Sequence, residues 1–196
     1  MIFEALQLLR AELTAYLVDS GRDTQVQVEL SSPTSNAGQV LLSLVNVEEE
    51  TTLRNSSPYQ RNPTGGYDLV NPPVFLNLYV LVSAGGQDSP TTYATALKRL
   101  AWVVQCFQQK HVLSPATQAG FASDDPGAAR LRLSLDLYSL SFEKLSQLWG
   151  TLGGKQQPCV LYKVRVVEEQ GQGQLGHGPE ITLIERRTTI TPLSTN

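Results

Sequence analysis

The chain has 196 residues, 17% of them charged, and a formal net charge of -3 at pH 7. A chain of this length buries enough surface to fold without a disulfide or a metal. Its evenly spread Lys and Arg argue against nucleic acid as the partner, because phosphate binding needs a concentrated basic surface. The first residues carry neither a basic leader nor an uninterrupted apolar core, as a signal peptide would. No apolar run is as long as a membrane-spanning helix, which needs about 20 residues. We therefore expect a chain that is made and folds in a cytoplasm, without membrane insertion.

The N-terminal quarter predicts one helix and two strands. Apolar residues at helical spacing indicate an amphipathic helix over residues 2 to 19. Alternating apolar and polar residues then indicate strands at Gln25 to Leu30 and at Val40 to Val47. Three glutamates follow, Glu48 to Glu50, and like charges at this position predict a solvated strand exit.

The next stretch, Thr51 to Asn71, shows no clear hydrophobic period. A connection of this length inside a compact domain is usually functional or mobile. We therefore take Arg54, Tyr59 and Arg61 as candidate interface residues.

The segment Asn71 to Ala84 predicts a long interior strand, with two prolines at its start and a nearly continuous apolar run behind them. The strands on either side of the long loop can form an antiparallel pair. Ser89 and Pro90 then mark the start of a helix that reaches about Lys110. One face of that helix is expected to carry apolar residues, namely Tyr93, Leu97, Leu100, Val104 and Phe107, with Trp102 and Cys106 widening it.

The second half predicts two more strands with a short helix between them. Alternation indicates strands at Leu131 to Leu137 and at Val160 to Val167. Ser141 can cap the short helix between them, and Gly153 and Gly154 mark its end. Arg132, Lys163 and Arg165 form a basic patch if the two strands are neighbours. The alternative is a solvated sheet face whose charge Asp136 balances.

The C-terminal segment changes composition, being rich in Gly and Gln from Gln170 to Pro179, which is typical of a flexible loop or linker. The β-branched segment after it is either one more strand or an arm that orders only on a partner. Its candidate interface residues are Ile181, Leu183, Ile184, Arg186 and Arg187.

Together these elements predict an α+β fold, with a largely antiparallel or mixed sheet of about five strands. An N-terminal, a central and a short third helix pack against that sheet. The predicted organisation is one domain over residues 1–169, followed by a linker and arm over 170–196.

The sequence contains no strong motif for catalysis or for cofactor binding. Gly171 to Gly176 matches GxGxxG, but a β-branched segment follows where a dinucleotide site needs a helix, so we favour a loop. The two cysteines form no CxxC pair, and no nucleophile and base pair, Walker loop or HExxH is present. We therefore expect no catalytic residues, no cofactor and no metal.

Several blocks resemble the cap, or tail-terminator, proteins of extracellular contractile injection systems, the phage-tail-like particles of antifeeding-prophage and virulence-cassette type. The blocks are VLLSLVNVEEETTLRN at Val40 to Asn55, NPPVFLNLYVLVSA at Asn71 to Ala84, YATALKRLAWVVQCFQQK at Tyr93 to Lys110 and LYSLSFEKLSQLWGTLGGKQQPCVLYKVRVV at Leu137 to Val167. The likeness extends from the N-terminal helix to about Val167. It leaves out the loops at Asp19 to Gly38 and Ser114 to Gly127 and the tail after Glu168.

This resemblance implies a terminator fold that assembles as a homo-hexameric ring on the inner tube protein and the sheath protein. Such a ring stops polymerisation, fixes particle length and has no enzymatic activity. It implies assembly in the bacterial cytoplasm, as part of a particle that can be released. The alternatives are a baseplate-side adaptor or phage tail-completion protein and, more remotely, a small ligand-binding or hydrolase domain.

Overall fold

The computed structural model describes residues 1–33, 39–50, 59–61, 66–70, 75–85, 89–118, 120–153, 156–168 and 174–178. The helices and strands of these ranges are, in chain order, α1 (Ile2–Thr14), β1 (Val28–Leu30), β2 (Val40–Glu49), β3 (Tyr59–Arg61), β4 (Tyr67–Val70), β5 (Phe75–Ala84), α2 (Pro90–Gln109), β6 (Val112–Leu113), β7 (Leu131–Tyr138), α3 (Phe142–Leu152), β8 (Cys159–Glu168) and β9 (Gln174–Gly178). A π-helical turn, Ala15–Asp19, continues α1, so the predicted helix over residues 2 to 19 is confirmed.

The chain divides into two compact units. The first consists of Met1–Arg54 and Pro73–Gly171, and the second of Asn55–Pro72 and Gln172–Asn196. The proposed organisation into a domain over 1–169 and an arm over 170–196 stays a prediction.

A six-stranded sheet with the order β1-β2-β5-β8-β7-β6 forms the centre of the first unit. β1 runs parallel to β2, and every other pairing is antiparallel. β5 lies between β2 and β8, which confirms it as an interior strand and confirms the antiparallel pair across the long loop. The mixed α/β class is also confirmed; the sixth strand, β6, has only two residues and is too short to show a period.

Helices cover both faces of this sheet. α1 and α2 pack on one face, where Leu9, Leu13 and Val103 join strand residues such as Leu78 and Val164 in the main core. On the opposite face, α3 packs through Trp149 against Leu81 of β5 and Leu161 of β8. The sheet is therefore apolar on both sides at its centre.

The ends of α2 and α3 follow the predicted signals. The hydroxyl of Ser89 accepts a hydrogen bond from the N–H of Thr92 at 3.2 Å, and that of Ser141 accepts one from the N–H of Lys144 at 3.3 Å. Gly153 ends α3 with a φ of 68°, a left-handed conformation that glycine adopts without a steric penalty.

The orientation of α2 differs from the sequence prediction. Its buried residues are Ala96, Arg99, Val103, Cys106 and Phe107. Of the predicted apolar face, Cys106 and Phe107 are among them and Trp102 packs against the core, whereas Tyr93 and Leu97 are 45% and 44% exposed. The helix carries apolar residues on two faces, and periodicity alone does not tell which one meets the sheet.

Arg99 is nine-tenths buried because it pairs with an acidic residue from the connection after α1. Its Nε donates to Oδ2 of Asp23 at 2.7 Å, and the backbone N–H of Gln25 donates to Oδ1 at 3.1 Å. Burial by itself raises the pKa of Asp23, but the hydrogen bond from Arg99 and those from the backbone outweigh it and hold this pKa below its usual value. The ion pair thus fixes α2 to the chain that leaves α1.

Replacing Asp23 with asparagine is expected to lower the free energy of unfolding by about 2 kcal/mol at pH 7, since the variant loses a charged hydrogen bond. Because the folded pKa is depressed, the pair stabilises the fold above the unfolded pKa of about 3.9, and this contribution is lost as pH falls through the folded pKa. Urea unfolding from pH 7 downward should therefore show the wild type and Asp23→Asn converging at acidic pH. The matched control, Asp124→Asn at an exposed position, should stay within about 0.5 kcal/mol of wild type. A gap that does not change with pH would contradict the assignment.

The second unit contains a three-stranded antiparallel sheet with the order β3-β4-β9. β3 and β4 lie within the stretch that showed no period, and β9 lies within the Gly- and Gln-rich segment. The prediction of a loop or linker across residues 170–179 is therefore wrong for Gln174–Gly178. Strand pairing with β4, rather than intrinsic propensity, accounts for β9, because its sequence includes two glycines.

Candidate functional site

The charged residues predicted on β7 and β8 do lie on one face of the sheet. β7 and β8 are neighbours, with Asp136 opposite Lys163 and Ser134 opposite Arg165. Arg132 shares this face because alternate residues of a strand point to the same side. We call six side chains the charged face: Arg132, Asp136, Lys163 and Arg165, together with Glu48 of β2 and Glu50, which directly follows β2.

An irregularity in β2 brings the two glutamates to this face. The register with β5 shifts between Leu44 and Asn46, so that Glu48 lies opposite Asn77. A shift of one residue turns the following side chains to the other side of a sheet. Glu50 continues the same alternation, and its N–H donates to the carbonyl of Phe75 at 2.9 Å.

Glu50 is the acidic centre of the charged face. Its Oε2 accepts a hydrogen bond from Nδ2 of Asn77 at 3.0 Å. The same oxygen lies 3.9 Å from Nζ of Lys163 and 3.9 Å from Nε of Arg165, and the Glu50 side chain is only 12% exposed. The prediction of a solvated strand exit is therefore wrong for Glu50, because β8 supplies two cations beside it.

Glu48 and Tyr79 form a second polar pair on this side. The hydroxyl of Tyr79 donates to Oε2 of Glu48 at 2.9 Å, and Nδ2 of Asn46 donates to Oε1 at 3.1 Å. The hydrogen bond to Glu48, with burial, raises the pKa of Tyr79. The Tyr79 ring also meets that of Tyr138 edge to face, with 5.2 Å between centroids. This aromatic pair ends the charged face toward the C-terminus of β7.

The charged face is a balanced mosaic rather than a basic patch. Lys163 and Arg165 both lie near Glu50, and Nη2 of Arg165 lies 3.7 Å from Oδ2 of Asp136. These pairs support the alternative in which acidic residues balance the strand cations. Arg132 is exposed, and among the described residues no acidic group pairs with it. It is thus the cation of this face that is most available to a partner.

The remaining candidate interface residues stay predictions. Tyr59 and Arg61 lie in β3, where the backbone pairs with β4. Arg54, Ile181, Leu183, Ile184, Arg186 and Arg187 lie outside the described residues. The sequence reasoning missed Glu48, Glu50 and Tyr79, although the apolar run of β2 passing directly into glutamates was the available signal.

The described side chains offer little for catalysis. Within the described ranges, no three His, Cys, Asp or Glu residues gather as a metal site requires. Burial raises the pKa of Cys106 to about 12, and it also raises the pKa of Cys159, which disfavours the thiolate that a nucleophile needs. Gly176 of the GxGxxG match lies inside β9, so no helix begins there to hold a pyrophosphate. The helices among the described residues are all too short or too polar to cross a membrane.

Comparisons with known proteins found one matching family and two similar solved structures. The sequence profile of the Pvc16 N-terminal domain matches residues 4–182. Among solved structures, the chain is similar to the sheath/tube terminator of an extracellular contractile injection system, PVC, in its extended state, with a TM-score of 0.59 and 18% identity. It is also similar to the tube terminating cap of the anti-feeding prophage, with a TM-score of 0.60 and 16% identity. No curated protein matches the chain.

These likenesses cover nearly all of this chain but only part of each neighbour. The match to the PVC terminator spans 99% of this chain and 65% of that one. The match to the anti-feeding prophage cap spans 97% of this chain and 62% of that one. At such identities the comparison shows a shared fold.

Proposed function

Because the chain belongs to the Pvc16 N-terminal domain family, we propose that it is the cap, or tail terminator, of a contractile injection particle. In this role it sits on the last layer of inner tube and sheath, stops their polymerisation and so fixes particle length. The observation that carries the proposal is the similarity of fold, over nearly the whole chain, to two proteins that terminate such particles. The role is structural and requires no enzymatic activity.

The proposed assembly is a ring of six copies, built in the bacterial cytoplasm on a tube protein and a sheath protein. A closed ring needs heterologous contacts between copies, and it needs separate surfaces for the layer beneath. The charged face suits the second task, since a mosaic of both signs selects a complementary partner and excludes others. A purely basic surface would instead favour nucleic acid.

Loss and restoration of the gene test this function directly. In cells that produce the particle, removal of this chain is expected to leave tubes and sheaths of variable length, and expression in trans should restore a single length. The length distribution is measured by electron microscopy of negatively stained particles. A narrow distribution without the chain would exclude a terminator, and a labelled chain found at the baseplate would favour the adaptor alternative.

We further propose that the segment from Ile181 onward is an arm that adds to a sheet edge of a neighbouring subunit, with Ile181, Leu183 and Ile184 as its apolar side chains. In the same complementation assay, a chain ending at Pro179 keeps β9 and should cap less completely than the full chain. Equal length control by both chains would rule out a role for the arm.

A further inference from the structure

A groove runs along the outer side of α1, the side opposite to the leucines that this helix buries. Residues at helical spacing form its first wall, namely Phe3, Gln7, Arg10 and Thr14. Residues of the connection between β6 and β7 form its second wall, among them Gln118, Phe121 and Asp124. We call the space between these two walls the α1 groove.

Contacts within the subunit hold both walls in place. Phe121 packs against the main core, and its N–H donates to the carbonyl of Gln118 at 3.3 Å. On the first wall, Nε of Arg10 donates to the carbonyl of Val28 at 3.0 Å. The half of the groove beside Arg10 and Gln118 has a volume of about 500 Å³, which is within the range of ligand sites. The α1 groove is therefore a preformed concave surface.

Gln118 supplies a polar group that is buried beside this groove and has no partner. It is only 8% exposed, and it lines the groove. Within the part of the chain that the structure describes, its side-chain amide neither donates nor accepts a hydrogen bond. Buried polar groups are normally paired, because leaving one unpaired costs free energy. An amide donates and accepts at once, as a peptide bond does, so a peptide backbone is the matching partner for Gln118.

An exposed carboxylate lies at each end of the α1 groove. Asp19 lines the end beyond α1, and Asp124 lines the end beside Phe3. No cation among the described residues pairs with either carboxylate. At 1.5 Å of helix rise per residue, Phe3 and Asp19 are about 24 Å apart. An extended chain covers that distance in about seven residues.

The α1 groove and the charged face lie on opposite sides of the sheet. In β5, Leu78 packs in the main core with α1, whereas Nδ2 of Asn77 donates to Glu50 of the charged face. Neighbouring residues of a strand point to opposite faces of a sheet. A subunit that docks through its charged face therefore still presents the α1 groove.

We infer that the α1 groove binds an extended segment of another protein, one that carries Lys or Arg at two positions about seven residues apart. Its two cations pair with Asp19 and Asp124, and its backbone between them pairs with the amide of Gln118. No extended segment among the described residues of this chain carries two cations at that spacing, so the segment is assigned to a different protein. The inference goes beyond the proposed function and does not rest on it.

Gly120 allows the groove to be blocked without disturbing the fold. It lines the groove, and a Cβ added to it meets no atom within 4 Å. The variant Gly120→Leu should therefore fold as the wild type does and place a side chain in the groove. Gly150→Leu is the matched control, because Gly150 lies on α3 and has the same open space around it. Circular dichroism checks that both variants are folded.

The probe is a phage-displayed library of random peptides of about ten residues, selected on the full chain. Fluorescence anisotropy of the enriched peptides, made with a fluorescein label, measures their affinity. These peptides should carry Lys or Arg about seven positions apart. Gly120→Leu should weaken their binding by at least about 10-fold, because it overfills the contact, and Gly150→Leu should leave it unchanged. Gln118→Leu should weaken it by about 10-fold through the lost amide, and Asp124→Asn by about 2- to 5-fold through one lost ion pair.

Failure of the inference would be visible in the same measurements. A selection that enriches no peptide, or only peptides without cations, overturns it. Equal affinity of the enriched peptides for the wild type and for Gly120→Leu also overturns it. Peptides that match a stretch of this chain would name a second copy as the occupant and overturn the assignment to another protein. Because the chain is measured without tube or sheath, these outcomes do not depend on the proposed cap function.

Discussion

Replacing Trp149 with alanine is expected to lower the free energy of unfolding by about 3–5 kcal/mol, the usual cost of removing a large buried aromatic side chain. Trp149 is 3% exposed and forms, with Leu81 and Leu161, the core on the α3 face of the sheet. Trp149 is the buried residue of α3, whereas Leu145, Leu148 and Leu152 are only partly buried, so the packing of this helix depends chiefly on Trp149. For a chain of this size the loss corresponds to a fall of roughly 10 °C in melting temperature.

The matched control for this substitution lies on the same helix. Phe142 is 91% exposed at the first position of α3, so Phe142→Ala removes an aromatic ring with no buried contact. Its melting temperature should change by no more than about 2 °C. Thermal unfolding followed by circular dichroism measures both variants. Similar losses for the two substitutions would mean that α3 does not pack through Trp149.

The elements with a clear period were predictable, because burial on one or both faces leaves a direct trace in the sequence. β5, β7 and β8 show this most simply: β7 alternates Leu131, Leu133 and Leu135 with polar residues that face away from the core. The start of α3 is predicted by its capping serine, Ser141, and its end by Gly153. These signals are local, so no partner strand is needed to see them.

The features that the sequence did not predict depend on contacts between residues that are distant in the chain. The bulge near Val45 has no glycine to mark it, yet it decides that Glu48 and Glu50 share a face with Lys163 and Arg165. The strand β9 exists through its pairing with β4 and has no apolar run of its own. In each case the structure of the segment is decided by the neighbouring strand it pairs with, so the sequence of the segment alone could not predict it.

The same limit explains why the buried face of α2 was predicted correctly only toward its C-terminal end. An arginine normally marks a solvent-facing position, but Arg99 is buried because Asp23 balances its charge. With Arg99 on the inside, Tyr93 and Leu97 turn outward and are about half exposed. The exposed apolar face of α2 thus follows from one ion pair, which the sequence of the helix alone does not show.

Reversing the charge of Arg132 is expected to weaken the docking of the cap on the tube and sheath by 10-fold or more. Arg132 is exposed on the charged face, and no acidic group among the described residues neutralises it. A single exposed ion pair contributes at most about 1 kcal/mol, but the proposed ring would present one Arg132 per copy, so the losses would combine across the assembly. Docking of the wild type should weaken as salt is raised, and the Arg132→Glu variant should depend less on salt.

Lys98→Glu is the matched control for this reversal. Lys98 is an exposed cation on α2, away from β7 and β8, and its substitution changes the net charge by the same amount. Co-sedimentation with uncapped tube and sheath over a salt series measures docking, and mass in solution shows whether the ring still forms. Both substituted positions are exposed, so both variants should fold and assemble normally, and only Arg132→Glu should dock poorly. Equal docking by the two variants would show that net charge, and not the charged face, governs the contact.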